Sequence, residues 1–329
     1  MTINDVFKLI KADMDKVNSL IQSSLYSEVV LINQVSKYII NSGGKRLRPV
    51  LVLLSANAFS YGKESHQQQE NHNITLAAVI EFIHTATLLH DDVVDESELR
   101  RGKDTANELW GNAASVLVGD FLYSRAFEMM VGVGSMKVME ILSHSTNTIA
   151  EGEVLQLLNC NDASTTEEQY LEVIHFKTAK LFESASQLGA VISAQDEAVE
   201  TAMAKFGMHL GTAFQLIDDV LDYSASSEDM GKNVGDDLAE GKPTLPLIYA
   251  MKHGSDEQSK MIKEAIEKGG LDQIEAITQT IQTTGALDYT REIAKQEAQL
   301  AITQLDSIPD SDYKQALITL ANFSIERSH

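Results

Sequence analysis

The sequence predicts an all-α fold, and three observations carry that expectation. Apolar residues recur at helical spacing through most of the chain, alternation at period two is rare, and only four prolines interrupt 329 residues. Taken in order, helical windows run over 3–23 and 28–41, and the Gly- and Arg-containing break "NSGGKRLRP" (41–49) then precedes the apolar window 49–60. A Gln-rich polar tract (61–73), read as a solvated loop, leads into 74–96. Windows 113–131 and 136–158 are parted by "VGVGS" (131–135). "NCNDASTTEEQ" (159–169) supplies Ser, Thr and Glu in the order of a capped helix start before 167–193. Window 198–225 ends in the Gly- and Asp-rich stretch 224–243, and 244–252, 258–268, 272–283, 287–306 and 311–326 complete the chain.

No break is long or biased enough to read as a linker, so a single domain over 1–329 is expected. The net charge of −22 argues against a nucleic-acid partner, which calls for a basic face. It leaves phosphate ligands open, because a local group of Lys and Arg can govern one cleft. One cysteine, Cys160, can form no internal disulfide, which fits a reducing cytoplasm. The N-terminus lacks the basic start and apolar centre of a signal peptide. The best apolar run, Pro49 to Ser60, falls short of the ~20 residues that cross a bilayer, so no transmembrane segment is expected.

One short pattern occurs twice. "DDVVD" (Asp91, Asp92, Asp95) is matched by "DDVLD" (Asp218, Asp219, Asp222), and on a helix Asp91 and Asp95 share a face, as do Asp218 and Asp222. A solvated acidic face is the ordinary meaning of such a cluster. Here both copies follow apolar runs, "EFIHTATLL" and "GTAFQLI", and Asp is a poor interior helix former. Short hard-oxygen ligands suit Mg²⁺, which keeps waters and is usually bound jointly with substrate phosphates. Cationic groups accompany the acids: Lys45, Arg46 and Arg48 after Gly43-Gly44, then Arg100 and Arg101, Lys177 with Thr178, and Lys232 and Lys242. Arg forks suit bidentate phosphate contacts, and Lys acts as a point charge.

Together these stretches resemble the trans-prenyl diphosphate synthases, which elongate isoprenoid chains head to tail. The likeness takes in "GGKRLRP", "EFIHTATLLHDD", "DDVVDESELRRG", "GNAASVLVGDFLYSRAF", "IAEGEVLQL", "KTAKLFESA", "FQLIDDVLDY" and "GKNVGDDLAEGKPTLPLIYA", most of positions 31–250. Within that family the wording is most similar to the bacterial octaprenyl branch, which makes the tail of respiratory quinones such as ubiquinone. Seven- and nine-unit products stay open. The resemblance implies an all-α bundle around a deep central cavity, usually a homodimer, whose product is delivered to the membrane. It implies that isopentenyl diphosphate is held by Lys45, Arg48, His84 and Arg101. The allylic diphosphate is implied to meet Arg100, Lys177, Thr178, Gln215, Lys232 and Lys242. Two or three magnesium ions would be held by Asp91, Asp95 and Asp218, with Asp92, Asp219 and Asp222 in support.

Chain length can be argued from helix geometry. Back from Asp91, the residues Thr87, Ile83 and Val79 lie on successive turns about 5.4 Å apart, with Ala86 alongside. Small Ala86 and modest Thr87 leave room for a growing tail, and Met130 and Leu142, with Phe127, are expected to close the floor. Three rivals compete. Two Glu-x-x-His pairs, Glu81/His84 and Glu172/His175, could belong to a di-iron carboxylate bundle. A non-catalytic regulatory subunit would be expected to lose the second aspartate motif, which is intact. A terpene cyclase has no use for the second diphosphate site that Lys45 and Arg48 supply.

Overall fold

The computed structural model describes residues 1–60, 71–224, 235–269 and 271–327. The described residues are almost entirely helical, as the periodicity requires. The helices are α1 (Ile3–Leu9), α2 (Lys11–Ser24), α3 (Val30–Ile40), α4 (Leu47–Ala58), α5 (His72–Val94), α6 (Ala106–Trp110), α7 (Asn112–Val133), α8 (Met136–Asn159), α9 (Glu167–Ile174), α10 (Lys180–Ile192), α11 (Glu197–Ser224), α12 (Asp236–Ala239), α13 (Leu245–His253), α14 (Asp256–Lys268), α15 (Ile274–Thr283), α16 (Ala286–Gln304) and α17 (Asp312–Glu326). Window ends fall within a few residues of these bounds.

Two short helices, α6 and α12, fall outside every window, and three further local features depart from them. The first window is broken at Ile10, so 3–23 becomes two helices. Window 167–193 is likewise not one α-helix, because His175–Ala179 forms a π-helical turn between α9 and α10. A π turn inserts one extra residue into the helix, and it commonly marks a functional position. Thirdly, "LRRGKD" makes a small hairpin in which β1 (Leu99–Arg100) pairs with β2 (Lys103–Asp104). Its two loop residues, Arg101 and Gly102, both have positive φ (55° and 71°), the backbone of a type I′ turn. Strands of two residues carry no measurable period, which is why alternation did not reveal them.

The chain forms two compact units, each assembled from non-contiguous segments: Met1–Thr146, Leu181–Gly207 and Gln304–Leu320 in one, Asn147–Lys180, Met208–Thr303 and Ala321–His329 in the other. In the first unit α4 is buried all round at Leu51, Leu53 and Leu54, and it packs on α5. α5 and α7 form the most extensive helix pair. They approach closely because Gly119 has no side chain: a Cβ there would lie 2.3 Å from His90 Nε2, and Ser115 Oγ donates to the Leu89 carbonyl at 2.8 Å. The second unit has two apolar clusters. One joins Val220, Tyr223, Leu238 and Leu247 with Ile262, Ile277 and Ile281 from α14 and α15. The other joins Tyr170 and Ile174 of α9 with Leu216, Leu221, Leu245 and Ile248.

Among the described residues α5 is the one helix long and apolar enough to cross a membrane, and 67% of that apolar window is buried inside the protein. The run Pro49–Ser60, expected to be the strongest apolar candidate, lies in the shorter α4. The burial of α5 is what its composition serves, since Leu76, Val79, Ile80, Phe82, Ile83, Ala86 and Leu89 are core residues.

Two glycines in helices make opposite predictions. Gly207 lets α11 lie against the α10 backbone, where a Cβ would meet the Phe182 carbonyl oxygen at 2.3 Å. Gly207→Ala should cost about 1–3 kcal/mol of stability. Gly132 in α7 has open space around it, so Gly132→Ala should stabilise by about 0.5–1 kcal/mol. Urea denaturation read by circular dichroism checks both signs.

Candidate active site

Both aspartate motifs fall in the last two turns of long helices, α5 and α11. A helix C-terminus carries partial negative charge, so clustered carboxylates there are doubly unfavourable without a cation. In the first motif Asp92 is answered by an arginine of the same chain. Asp92 is fully buried and receives Arg100 at 2.7 Å (Nε) and 2.6 Å (Nη2) from the β1–β2 hairpin. Burial pushes the Asp92 carboxyl up, against the pull of Arg100. Asp91 and Asp95, by contrast, are part exposed, and the Asp95 N–H donates to the Asp91 carbonyl at 2.8 Å.

The expected isopentenyl residues gather beside this motif. Arg48, in the first turn of α4, lies 3.1 Å from His84 Nε2 and stacks over the Phe182 ring at 4.4 Å. Burial, with Arg48, Arg101 and Arg100 nearby, holds His84 well below the usual imidazole range, so it is neutral at pH 7. Arg101 is exposed and donates to the Gly43 carbonyl. The Gly43-Gly44 turn is needed for that approach: both have positive φ (100° and 126°), and a Cβ on Gly44 would sit 2.6 Å from Arg101 Nη1. Lys45 is exposed on the same turn. Glu81 reaches Arg46 Nε at 3.8 Å, and burial pushes its carboxyl up while Arg46, Arg48 and Arg101 pull it down. Glu81 and His84 therefore face guanidinium groups, which leaves the di-iron reading without its first Glu-x-x-His pair. Glu172, of the second pair, is exposed.

In the second unit one cavity of about 150 Å³ collects Lys177, Thr178, Gln215, Asp219 and Lys242, with Gln156, Tyr170, Asp237 and Thr244 among its other lining residues. The π turn sets Lys177 and Thr178 into this wall, and Gly152 makes room for it, since a Cβ there would meet the Lys177 backbone nitrogen at 2.7 Å. Lys177 Nζ lies 2.6 Å from Glu153, and Lys242 pairs with Glu240. Asp219 is buried, as is Asp222, while Asp218 is exposed. Burial and Asp237 push the Asp219 carboxyl up, opposed by donors from Tyr170 and Gln215. Lys232 lies outside the described residues.

Several participants escaped the sequence reading. Tyr170, Glu153 and Asp237 sit in no doubled or basic motif, and Arg327 lies more than one hundred residues from its partner. Arg327 reaches Asp218 Oδ1 at 3.4 Å, donates to the Phe214 carbonyl at 2.8 Å and covers the Phe214 ring at 3.7 Å. The doubled motif pointed toward Tyr170 and Arg327 through Asp219 and Asp218, and Glu153 and Asp237 lie within the stretches "IAEGEVLQL" and "GKNVGDDLAEGKPTLPLIYA" that carry the family resemblance. The expected chain-length residues Ile83, Ala86, Met130 and Leu142 are all fully buried, with Thr87 and Phe127 partly so.

Comparison with known proteins agrees with the geometry. Residues 29–283 match the family model described as polyprenyl synthetase. The chain is 52% identical over 328 residues to octaprenyl diphosphate synthase of Escherichia coli (strain K12), covering 99% of each. It is 50% identical to the octaprenyl diphosphate synthase of Haemophilus influenzae, across 100% of this chain and 98% of that one. A crystal structure of polyprenyl synthase from Caulobacter crescentus, complexed with calcium and isoprenyl diphosphate, is 44% identical with a TM-score of 0.94, covering 100% of this chain and 98% of that chain. The aspartates, arginines and lysines gathered at these two sites therefore belong to a member of the polyprenyl synthetase family, a prenyltransferase.

Proposed function

We propose that the protein is a long-chain trans-polyprenyl diphosphate synthase making the eight-unit, octaprenyl product. The observation that carries this is the cavity that brings Lys177, Thr178, Gln215 and Lys242 together beside Asp219, a set of cationic and hydrogen-bonding groups suited to a diphosphate. Full-length likeness to octaprenyl diphosphate synthases supports the product length. A 44% identical relative in Rhodobacter capsulatus is an all-trans-nonaprenyl-diphosphate synthase and a 30% identical structure from Staphylococcus aureus is a heptaprenyl diphosphate synthase, so seven and nine units are the neighbouring outcomes.

Mg²⁺ takes few carboxylates and completes its shell with phosphate oxygens and water, which suits short aspartate side chains beside a diphosphate site. Asp91, Asp95 and Asp218 are the carboxylates that would hold two or three such ions, because they reach solvent whereas Asp92 and Asp219 are buried. Bound there, magnesium would supply Lewis-acid stabilisation of the charge that builds on a leaving diphosphate.

The chain's own groups do the rest. Arg100, Lys177 and Lys242, with Thr178, Gln215 and Lys232, bind the allylic diphosphate, and their positive charge favours breaking its C–O bond to leave a delocalised carbocation. Lys45, Arg48, His84 and Arg101 hold isopentenyl diphosphate. Neutral His84 can donate one hydrogen bond without adding charge beside Arg48. The alkene of isopentenyl diphosphate attacks the cation, and the proton then lost passes to the released diphosphate. The product is an allylic diphosphate one unit longer. Apolar residues enclosing the tail keep water from the cation. Ile83, Ala86 and Thr87 would form that enclosure, with Met130, Leu142 and Phe127 at its floor.

Apolar side chains exposed among the described residues include Leu117 and Val131 on α7, and Val154, Leu157 and Leu158 on α8. Exposed apolar area of this kind supports the homodimer expected of the family. The cytoplasm suits the single cysteine, with the product handed to the membrane for quinone synthesis.

Purified protein with Mg²⁺, farnesyl diphosphate and isopentenyl diphosphate should yield octaprenyl diphosphate by chromatography, and chelation of the metal should abolish it. Absence of metal-dependent elongation would end this reading. Lys177→Ala should lower kcat by about 10²-fold or more. Ala86→Phe separates tunnel from core. A tunnel wall should accept the ring and shorten the product, whereas a packed core should lose about 1–3 kcal/mol with product length unchanged.

A further inference from the structure

The functional reading leaves Tyr170 without a role. It stands in α9, seven residues before Lys177, with its ring 6% exposed. Its hydroxyl donates to Asp219 Oδ2. Gln215 Nε2 donates to Oδ1 of the same carboxylate at 2.8 Å, and Thr178 Oγ1 donates to Gln215 Oε1 at 3.2 Å. All four residues line the one cavity.

The hydrogen bonds give this chain its polarity: Gln215 turns its NH₂ toward Asp219 and its oxygen toward the Thr178 hydroxyl. One N–H of that amide is used on Asp219, and the second is left to offer. Were the amide to flip, it would present a carbonyl oxygen, which repels an anionic ligand. The orientation of Gln215 thus depends on Asp219, and Asp219 is pinned at its other oxygen by Tyr170.

We propose that Tyr170 is a positioning residue: by holding the Asp219 carboxylate, it commits the Gln215 amide to offer an N–H to the allylic diphosphate. This rests on the assignment of the cavity to that substrate. A tyrosine that merely satisfies its hydroxyl in a core would affect stability without favouring one substrate over the other. The positioning role is selective, because Gln215 serves one of the two diphosphates.

Tyr170→Phe keeps the ring and removes the donor. The KM for farnesyl diphosphate should rise about tenfold, the size of one hydrogen bond to a charged group. The KM for isopentenyl diphosphate should stay at its wild-type value, while the thermal midpoint falls because a buried carboxylate loses a donor. Calorimetry with inorganic diphosphate and Mg²⁺ should show the same weakening without turnover. Gln215→Ala, which removes the amide itself, should give the same selective loss even where Tyr170→Phe folds poorly. The double variant should lose little more than the larger single effect, since both act through one chain. An unchanged KM for farnesyl diphosphate in Tyr170→Phe, an equal rise in both KM values, or additive losses in the double variant would overturn the positioning role while wild-type elongation keeps the allylic assignment standing. Wild-type protein that neither elongates nor binds inorganic diphosphate would overturn both.

Discussion

Carboxylates crowded at the C-terminal end of an apolar helix are the constraint to which much of this molecule responds. Three aspartates in the last turns of α5, and three more in α11, place like charges together where the helix dipole is already negative. Nothing in helix packing calls for them. The chain answers part of that charge itself and leaves part exposed, and the division differs between the motifs. Asp92 is covered by Arg100 from a hairpin, and Asp219 by the hydroxyl of Tyr170 and the amide of Gln215. Asp91, Asp95 and Asp218 keep solvent access.

That division explains several local choices that look arbitrary in isolation. The β1–β2 hairpin exists to bring Arg100 back onto Asp92, and its I′ turn requires positive φ at Arg101, an uncommon backbone for a residue with a side chain. The positive φ places Arg101 against the Gly43-Gly44 turn, where a side chain on Gly44 would collide with the guanidinium. Gly152 performs the same service for the π turn that carries Lys177 and Thr178. In each case a missing side chain or a strained backbone sets a charged group where continuous α-helix would not.

The basic groups are balanced in turn by acids. Lys177 meets Glu153, Lys242 meets Glu240, and Arg46 meets Glu81, so the cationic sites are not bare in a chain of net charge −22. Such pairs keep long side chains ordered before a ligand arrives, which reduces the conformational entropy lost on binding. His84 follows a different rule. Enclosed among guanidinium groups, it is kept neutral, so it can hydrogen-bond without adding a charge.

Helical periodicity, the scarcity of proline and the doubled aspartate pattern by themselves determined the all-α class, the positions of most helices and the residues around which a site forms. Those are local properties: an apolar stripe, or two carboxylates four residues apart, is written in a few consecutive positions. Tertiary structure alone decided which carboxylate of each motif is already engaged, because the partners come from distant segments. Arg100 reaches Asp92 across a turn, Tyr170 reaches Asp219 from 49 positions away, and Arg327 reaches Asp218 from 109 away. The π turn and the hairpin were illegible for the opposite reason, being too short to impose a period on the sequence. Burial shows a similar limit, since Ile83, Ala86 and Met130 read alike as core or as the wall of a tunnel, and only their neighbours in three dimensions give a buried apolar side chain its function.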